Sequence, residues 1–267
     1  MKLILLDRNA VATIKENLNG KSVDINRLKT LRNLDNKKNH ISPILSIIEG
    51  QIGKRETKEE MMLTLKKEAD AISEFYRRAT KDSEYLLETA DSMCDVFSNH
   101  NEHKWDNYVN FLTQANPILF QNVAKHKKQE SIESLLSLAK ANNIYAGHPT
   151  VIICLSILFG SNEARSVLKP KKDVENFKSY NAVSDIILIS RICHIKAIFS
   201  QSKKSTLLKF ITFDEGLEFF LKSIRVLDNK IIQDGGVEIE AEYSHKLFPG
   251  LTKEEFTSFM VKLKNDS

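Results

Sequence analysis

The stretch Leu3-Ile4-Leu5-Leu6-Asp7 decides the fold. Four consecutive apolar residues leave no polar face, as expected of a central parallel strand covered on both sides. The run closes on Asp7, and an ionised carboxylate beside buried apolar surface is costly unless something compensates. The same juxtaposition recurs along the chain. Asp214 closes Phe210-Ile211-Thr212-Phe213, Glu49 follows Ile44-Leu45-Ser46-Ile47-Ile48, and Asp185 opens Ile186-Ile187-Leu188-Ile189. A bound cation is the usual compensation for such groups, so the four acids are expected to converge on a divalent-metal site.

Composition sets the frame. A chain of 267 residues can bury a sizeable core, and with 42% hydrophobic and 28% charged residues it reads as an ordinary globular protein. Five prolines and nine glycines are few, which favours long helices over a turn-rich β fold. The net charge of +4 permits nucleic-acid binding without demanding it. Cys94, Cys154 and Cys193 are too few and too scattered for a disulfide framework and read as reduced thiols. Met1-Lys2 and the apolar run imitate a signal peptide, but Asp7-Arg8 ends that run too early. The longest apolar stretch, 151–159, is too short to span a membrane. The expectation is a soluble, cytoplasmic protein with no membrane partner.

Helical spacing recurs over 10–17, 24–34 and 42–51, with Asn19-Gly20 ending the first segment and Ser42-Pro43 opening the third. Residues 56–146 are polar with apolar residues at helical intervals and offer no strand candidate, so they read as an all-helical insertion. His148-Pro149-Thr150 opens a buried helix over 151–159. A helix follows from Asp185 to about Phe199, with Ser184 or Asn181 as its cap, then a strand over 207–213 and a helix over 215–222. A strand over 224–227 and the strictly alternating 237–243 follow, and Thr252-Lys253-Glu254-Glu255 is a capping box for a last helix. The fold class is α/β, a single domain over 1–267 with core segments 1–55 and 147–267.

In open α/β sheets, ligands collect at the carboxyl ends of the strands. Asp7 and Asp214 hold that position on the two clearest strands, and Glu49 and Asp185 can reach the same edge. Oxygen donors without nearby His or Cys favour Mg²⁺ or Mn²⁺ over zinc. Two like charges ~4 Å apart repel by about 4 kcal/mol at an effective dielectric of ~20, so four carboxylates need a cation or shared protons. The corresponding chemistry is metal-assisted phosphodiester hydrolysis. Lys37, Lys38, Lys203 and Lys204 are candidates to hold an RNA backbone if they rim the acids. His100-x-x-His103 lacks a second ligand pair for zinc. His148 reads as a helix start, and Trp105 and Tyr108 as anchors of the helical segment. No P-loop, dinucleotide fingerprint or Gly-x-Ser-x-Gly elbow is present.

Asp7-Arg8-Asn9 after the first strand, helical Glu49, Asn181-Ala182-Val183-Ser184-Asp185-Ile186-Ile187 and Thr212-Phe213-Asp214 together resemble a PIN-domain nuclease. The resemblance covers about 1–51 and 151–227. It implies a PIN-like three-layer fold with a central, mostly parallel sheet, enlarged here by the helical insertion. It also implies that Asp7, Glu49, Asp185 and Asp214 bind one or two Mg²⁺ or Mn²⁺ ions and cleave RNA, with Asn9 and Thr212 orienting the carboxylates. Isolated nucleases of this kind often act as toxins or antiviral effectors, which would add an inhibitor or regulatory protein to the RNA as a partner. The rival readings are a catalytically degenerate RNA- or protein-binding scaffold and a DNA-directed, structure-specific nuclease.

Overall fold

Strand β1 (Lys2–Leu6) has Leu3, Ile4, Leu5 and Leu6 all buried, so both of its faces are covered as its unbroken apolar run predicts. The computed structural model describes residues 2–49, 56–99, 104–200, 207–231 and 237–265. The chain divides into two compact units, Met1–Asn101 with Arg191–Asp214, and Glu102–Ser190 with Glu215–Ser267.

In the first unit, β1 is followed by α1 (Arg8–Leu18), α2 (Ile25–Arg32), β2 (Asn39–Ser42), α3 (Ile44–Glu49), α4 (Lys58–Phe75), β3 (Thr80–Lys81), α5 (Ser83–Glu88) and α6 (Ala90–Asn99). Strand β4 (Leu207–Ile211) completes it. Among the described residues these strands form a four-stranded sheet in the order β3-β2-β1-β4, with every pairing parallel. The protein is therefore α/β with a parallel sheet. Ile4 and Leu6 on β1, Ile41 on β2 and Ile211 on β4 share one core cluster with Val11 and Ile14 of α1. Leu31 of α2 and Ile72 of α4 close over the same cluster. A second cluster joins Ile47 of α3, Met61 and Leu65 of α4, Leu86 of α5 and Cys94 of α6.

The helix boundaries follow their caps. Asp7 caps α1, Asp24 caps α2 through the amides of Asn26 and Arg27, and Thr57 and Glu60 form a capping box at the start of α4. Asn19 and the left-handed Gly20 end α1 where the sequence places a stop.

Three expectations are corrected here. The helix expected over 42–51 is the end of β2 followed by the shorter α3, and β2 has a single aliphatic residue, so its strand state comes from pairing with β1 and β3 and not from its own pattern. The all-helical reading of 56–146 misses β3, a two-residue strand defined only by its bonds to β2. The segment α4–α6 also belongs with the sheet, since α4 supplies part of its core, whereas Glu102 onward falls in the second unit.

The second unit holds α7 (Trp105–Leu119), α8 (Lys128–Ala141), α9 (Pro149–Leu158), α10 (Asn162–Leu168) and the first half of α11 (Ser179–Ser200). It ends with α12 (Glu215–Lys222), the antiparallel pair β5 (Ile224–Ile231) and β6 (Val237–Tyr243), and α13 (Lys253–Asn265). Every residue of α9 is buried, in keeping with its lack of a polar face. His148 is its cap, with Nδ1 accepting the Thr150 amide at 3.2 Å, and burial with the nearby Lys104 charge pulls the imidazole down to about 3. The histidine is thus a neutral structural cap. Tyr108 stacks on its ring at 4.5 Å, an anchoring role as expected. The capping box at Thr252 is formed, with the Thr252 amide donating to Glu255 at 2.7 Å. Among the described residues, no helix is long and apolar enough to cross a membrane.

Candidate functional site

The order β3-β2-β1-β4 makes the gap between β1 and β4 a topological switch point. The chain leaves β1 toward β2 and β3 on one side, and β4 pairs with β1 on the other. The carboxyl ends of the strands beside such a switch are where open α/β sheets bind ligands. Asp7 directly follows β1 there, and its amide continues the ladder by donating to the Ile211 carbonyl at 3.1 Å. Thr212 directly follows β4.

Asp7 is 2% exposed, and its Oδ1 accepts the Ala10 amide at 2.7 Å, the cap of α1. Thr212 and Asn9 also hydrogen-bond its carboxyl. The Thr212 hydroxyl oxygen in turn accepts the Asp214 amide at 3.1 Å, so one side chain ties the two acids together. Glu49 ends α3, and its Oε2 accepts the Arg8 amide, next to Asp7, at 3.3 Å. The first unit therefore gathers Asp7, Glu49, Asp214, Asn9 and Thr212 along one edge.

The electrostatics separate this group from an ordinary cap. A carboxylate at a helix N-terminus with three hydrogen-bond donors normally ionises more readily than usual. Asp7 goes the other way: burial pushes its pKa up, and Thr212, Ala10 and Asn9 only partly offset that, while the charge of Asp214 adds to the rise.

The remaining expected residues fall elsewhere. Asp185 lies in the second turn of α11 and not at its opening, because the helix has already begun by the bond from the Ala182 amide to the Lys178 carbonyl at 3.1 Å. It belongs to the second unit, so the four acids are divided between the units three to one. Lys37 and Lys38 are exposed and precede β2, whose first residue Asn39 is in register with Lys2. In a parallel sheet that is the end opposite Asp7, about 16 Å away along β1, so they do not rim the acids. Lys203, Lys204, His100 and His103 lie outside the described residues.

The sequence reading missed Asp82. It directly follows β3 on the same carboxyl edge, and burial pushes its carboxyl up to about 6, partly offset by a hydrogen bond from Ser42. The folded-state pKa lies above the ordinary 3.8, so the charge costs nothing below about pH 4 and its full penalty appears above pH 6. Asp82→Asn is expected to raise stability by about 2 kcal/mol at pH 7.5 and to match wild type near pH 4 in urea titrations. Glu68 is a second missed carboxylate, 1% exposed on α4 and paired with Lys15 of α1 at 3.2 Å. That pair ties α4 to α1 and is a structural ion pair. Neither carboxylate follows an apolar run, which is why the pattern that marked Asp7 passed over them.

Whether a metal fits can be judged from the donors. Asp7 and Asp214 are hard oxygen ligands whose mutual repulsion a cation would relieve. Among the described residues, however, no three or more His, Cys, Asp and Glu side chains stand close enough together to hold a metal ion. The described site thus offers a carboxylate pair, with Glu49 held on the neighbouring backbone, and not a closed coordination shell. Searches of protein-family models, of curated proteins and of solved structures find no match to this chain.

Proposed function

We propose that the chain is a PIN-like, metal-dependent endoribonuclease, with the Asp7–Asp214 edge as its working site. The observation that carries this reading is the raised pKa of Asp7, a buried helix cap beside a second carboxylate at a topological switch point. A purely structural cap has no reason to retain a neighbouring like charge, whereas a site built for a cation does.

Mg²⁺ or Mn²⁺, held by the Asp7–Asp214 pair, would polarise the scissile phosphate and supply a hydroxide nucleophile. The protein's own part is to hold the carboxylates. Thr212 donates to Asp7 and accepts from the Asp214 amide, fixing the spacing of the pair. The cap of α1 fixes the rotamer of Asp7, and the Arg8 amide fixes Glu49. Burial of Asp7 keeps bulk water from competing for its oxygens.

The test is cleavage of single-stranded RNA by the purified protein with Mn²⁺ or Mg²⁺, against chelator and against single-stranded and flap DNA. Metal-dependent RNA cleavage is expected. Preferential cutting of DNA would reassign the substrate, and no cleavage of either would leave a non-catalytic scaffold.

A further inference from the structure

The second unit brings two lysine-bearing stretches side by side. The buried side chain of Asn116, in the last turn of α7, donates to the Lys171 carbonyl at 2.8 Å and accepts the Lys171 amide at 2.9 Å. One turn on, the Arg165 guanidinium of α10 donates to the Leu119 carbonyl at 2.7 Å, and to the Phe120 carbonyl and Asn122 Oδ1 at 3.3 Å each. Further along, Lys128 Nζ lies 5.0 Å over the ring of Phe159, which precedes α10. Residues 116–128 therefore run antiparallel to 159–171, joined at both ends and in the middle.

The charge of the two stretches is one-sided. Residues 116–128 contain three lysines and no acid, and residues 159–172 contain three lysines, an arginine and a single acid, Glu163. Lys125, Lys127, Lys171 and Lys172 are exposed, and among the described residues no carboxylate forms an ion pair with them. Local folding gives no reason for the first group. Lys125, Lys127 and Lys128 stand at the N-terminus of α8, which no side chain caps. The helix dipole disfavours cations there and favours an anion. Neither stretch exposes a large apolar side chain, so a membrane has nothing to insert and a protein partner has no apolar anchor to cover. Helix α10 is about 10 Å long, and the two lysine groups lie by its opposite ends, which suits a linear polyanion and not one small anion.

We propose that residues 125–128 and 169–172 form one surface that binds the phosphate backbone of single-stranded RNA, with Asn116 and Arg165 holding the two stretches together. The choice of RNA among linear polyanions rests on the nuclease reading above, whereas the surface itself does not involve the Asp7–Asp214 edge. Phosphate contacts position a nucleic acid without reading its sequence, so the surface adds affinity for RNA of any sequence.

The test is binding of a short labelled single-stranded RNA to the full chain by fluorescence anisotropy, with chelator present to prevent cleavage. Lys125→Gln with Lys127→Gln, and Lys171→Gln with Lys172→Gln, are each expected to weaken binding by about 10-fold at low salt. Each pair should also flatten the dependence of log Kd on log salt by about 1.4, the change for two phosphate contacts on a single strand. Lys37→Gln with Lys38→Gln removes the same charge from the first unit and is expected to change neither quantity. Unchanged binding in both lysine pairs of the second unit, or an equal loss in the Lys37 and Lys38 variant, overturns the proposal. Tighter binding to vesicles of phosphatidylserine and phosphatidylcholine than to RNA overturns it as well. RNA that is bound through these lysines but never cut with Mg²⁺ or Mn²⁺ would overturn the nuclease reading and leave the surface standing. RNA cut by wild type, and bound equally well by both lysine pairs, would do the reverse.

Discussion

Asp7→Asn is expected to abolish divalent-dependent RNA cleavage, by about 10³-fold or more, the scale of losing a principal electrostatic group from an active site. The same substitution is expected to leave the fold intact and to stabilise it at neutral pH. Asn is as good an N-cap as Asp, so the bond from the Ala10 amide survives. What disappears is a carboxylate whose folded-state pKa is raised by burial and by Asp214. Such a group costs nothing below the ordinary value of 3.8 and becomes unfavourable as pH rises through its folded value. The gain should therefore be present at pH 7.5 and absent below about pH 4. Activity and stability moving in opposite directions mark a functional group; a fall in stability with cleavage unchanged would reduce Asp7 to a structural cap. Asp214→Asn should also end cleavage, because it removes the other half of the pair.

Asp35→Ala is expected to cost about 3 kcal/mol of stability, since three bonds to a charged acceptor are lost. The Asp35 carboxylate accepts the amides of Arg77, Arg78 and Ala79 at 3.2, 2.7 and 2.8 Å. Those residues directly precede β3, which has only two residues of its own to hold it against β2. Burial alone would raise the Asp35 pKa, but the three amides and the Arg78 charge pull it below 3.8. Here the sign is the ordinary one for a carboxylate: the stabilisation is full above the unfolded value and is lost as pH falls through the folded one. Urea midpoints for variant and wild type should therefore differ at pH 7 and converge in strong acid. An unchanged midpoint at pH 7 would show that β3 is held by other contacts. Because Asp82 follows β3, the same variant should also disturb the carboxyl edge of the sheet.

Asp7 was legible in the sequence because it ends an apolar run buried on both faces, and Thr212 and Asp214 because they close the apolar stretch of β4, of which only Ile211 is buried. The cap at Thr252 was legible for a related reason: it bonds the Glu255 amide three residues away, so local order suffices. β6 lies where its alternating pattern placed it, and β5 starts at Ile224 as expected but runs on to Ile231 through its pairing with β6.

What escaped the sequence depends on partners far along the chain. β2 and β3 carry no strand pattern and exist through pairing, which made Ser42 and Asp82 invisible as edge residues. The position of Lys37 and Lys38 at the far end of the sheet follows from strand direction, which residue types do not encode. The sequence by itself determined the α/β class, the central strand and the acids at the ends of β1 and β4, because burial and capping act within a few residues. Only the tertiary structure decided that these two strands are neighbours at a switch point, that Glu49 reaches the Arg8 backbone across 41 residues, and that Asp82 joins the edge. Those facts rest on hydrogen bonds and charge contacts between segments distant in the chain, and no local pattern carries them.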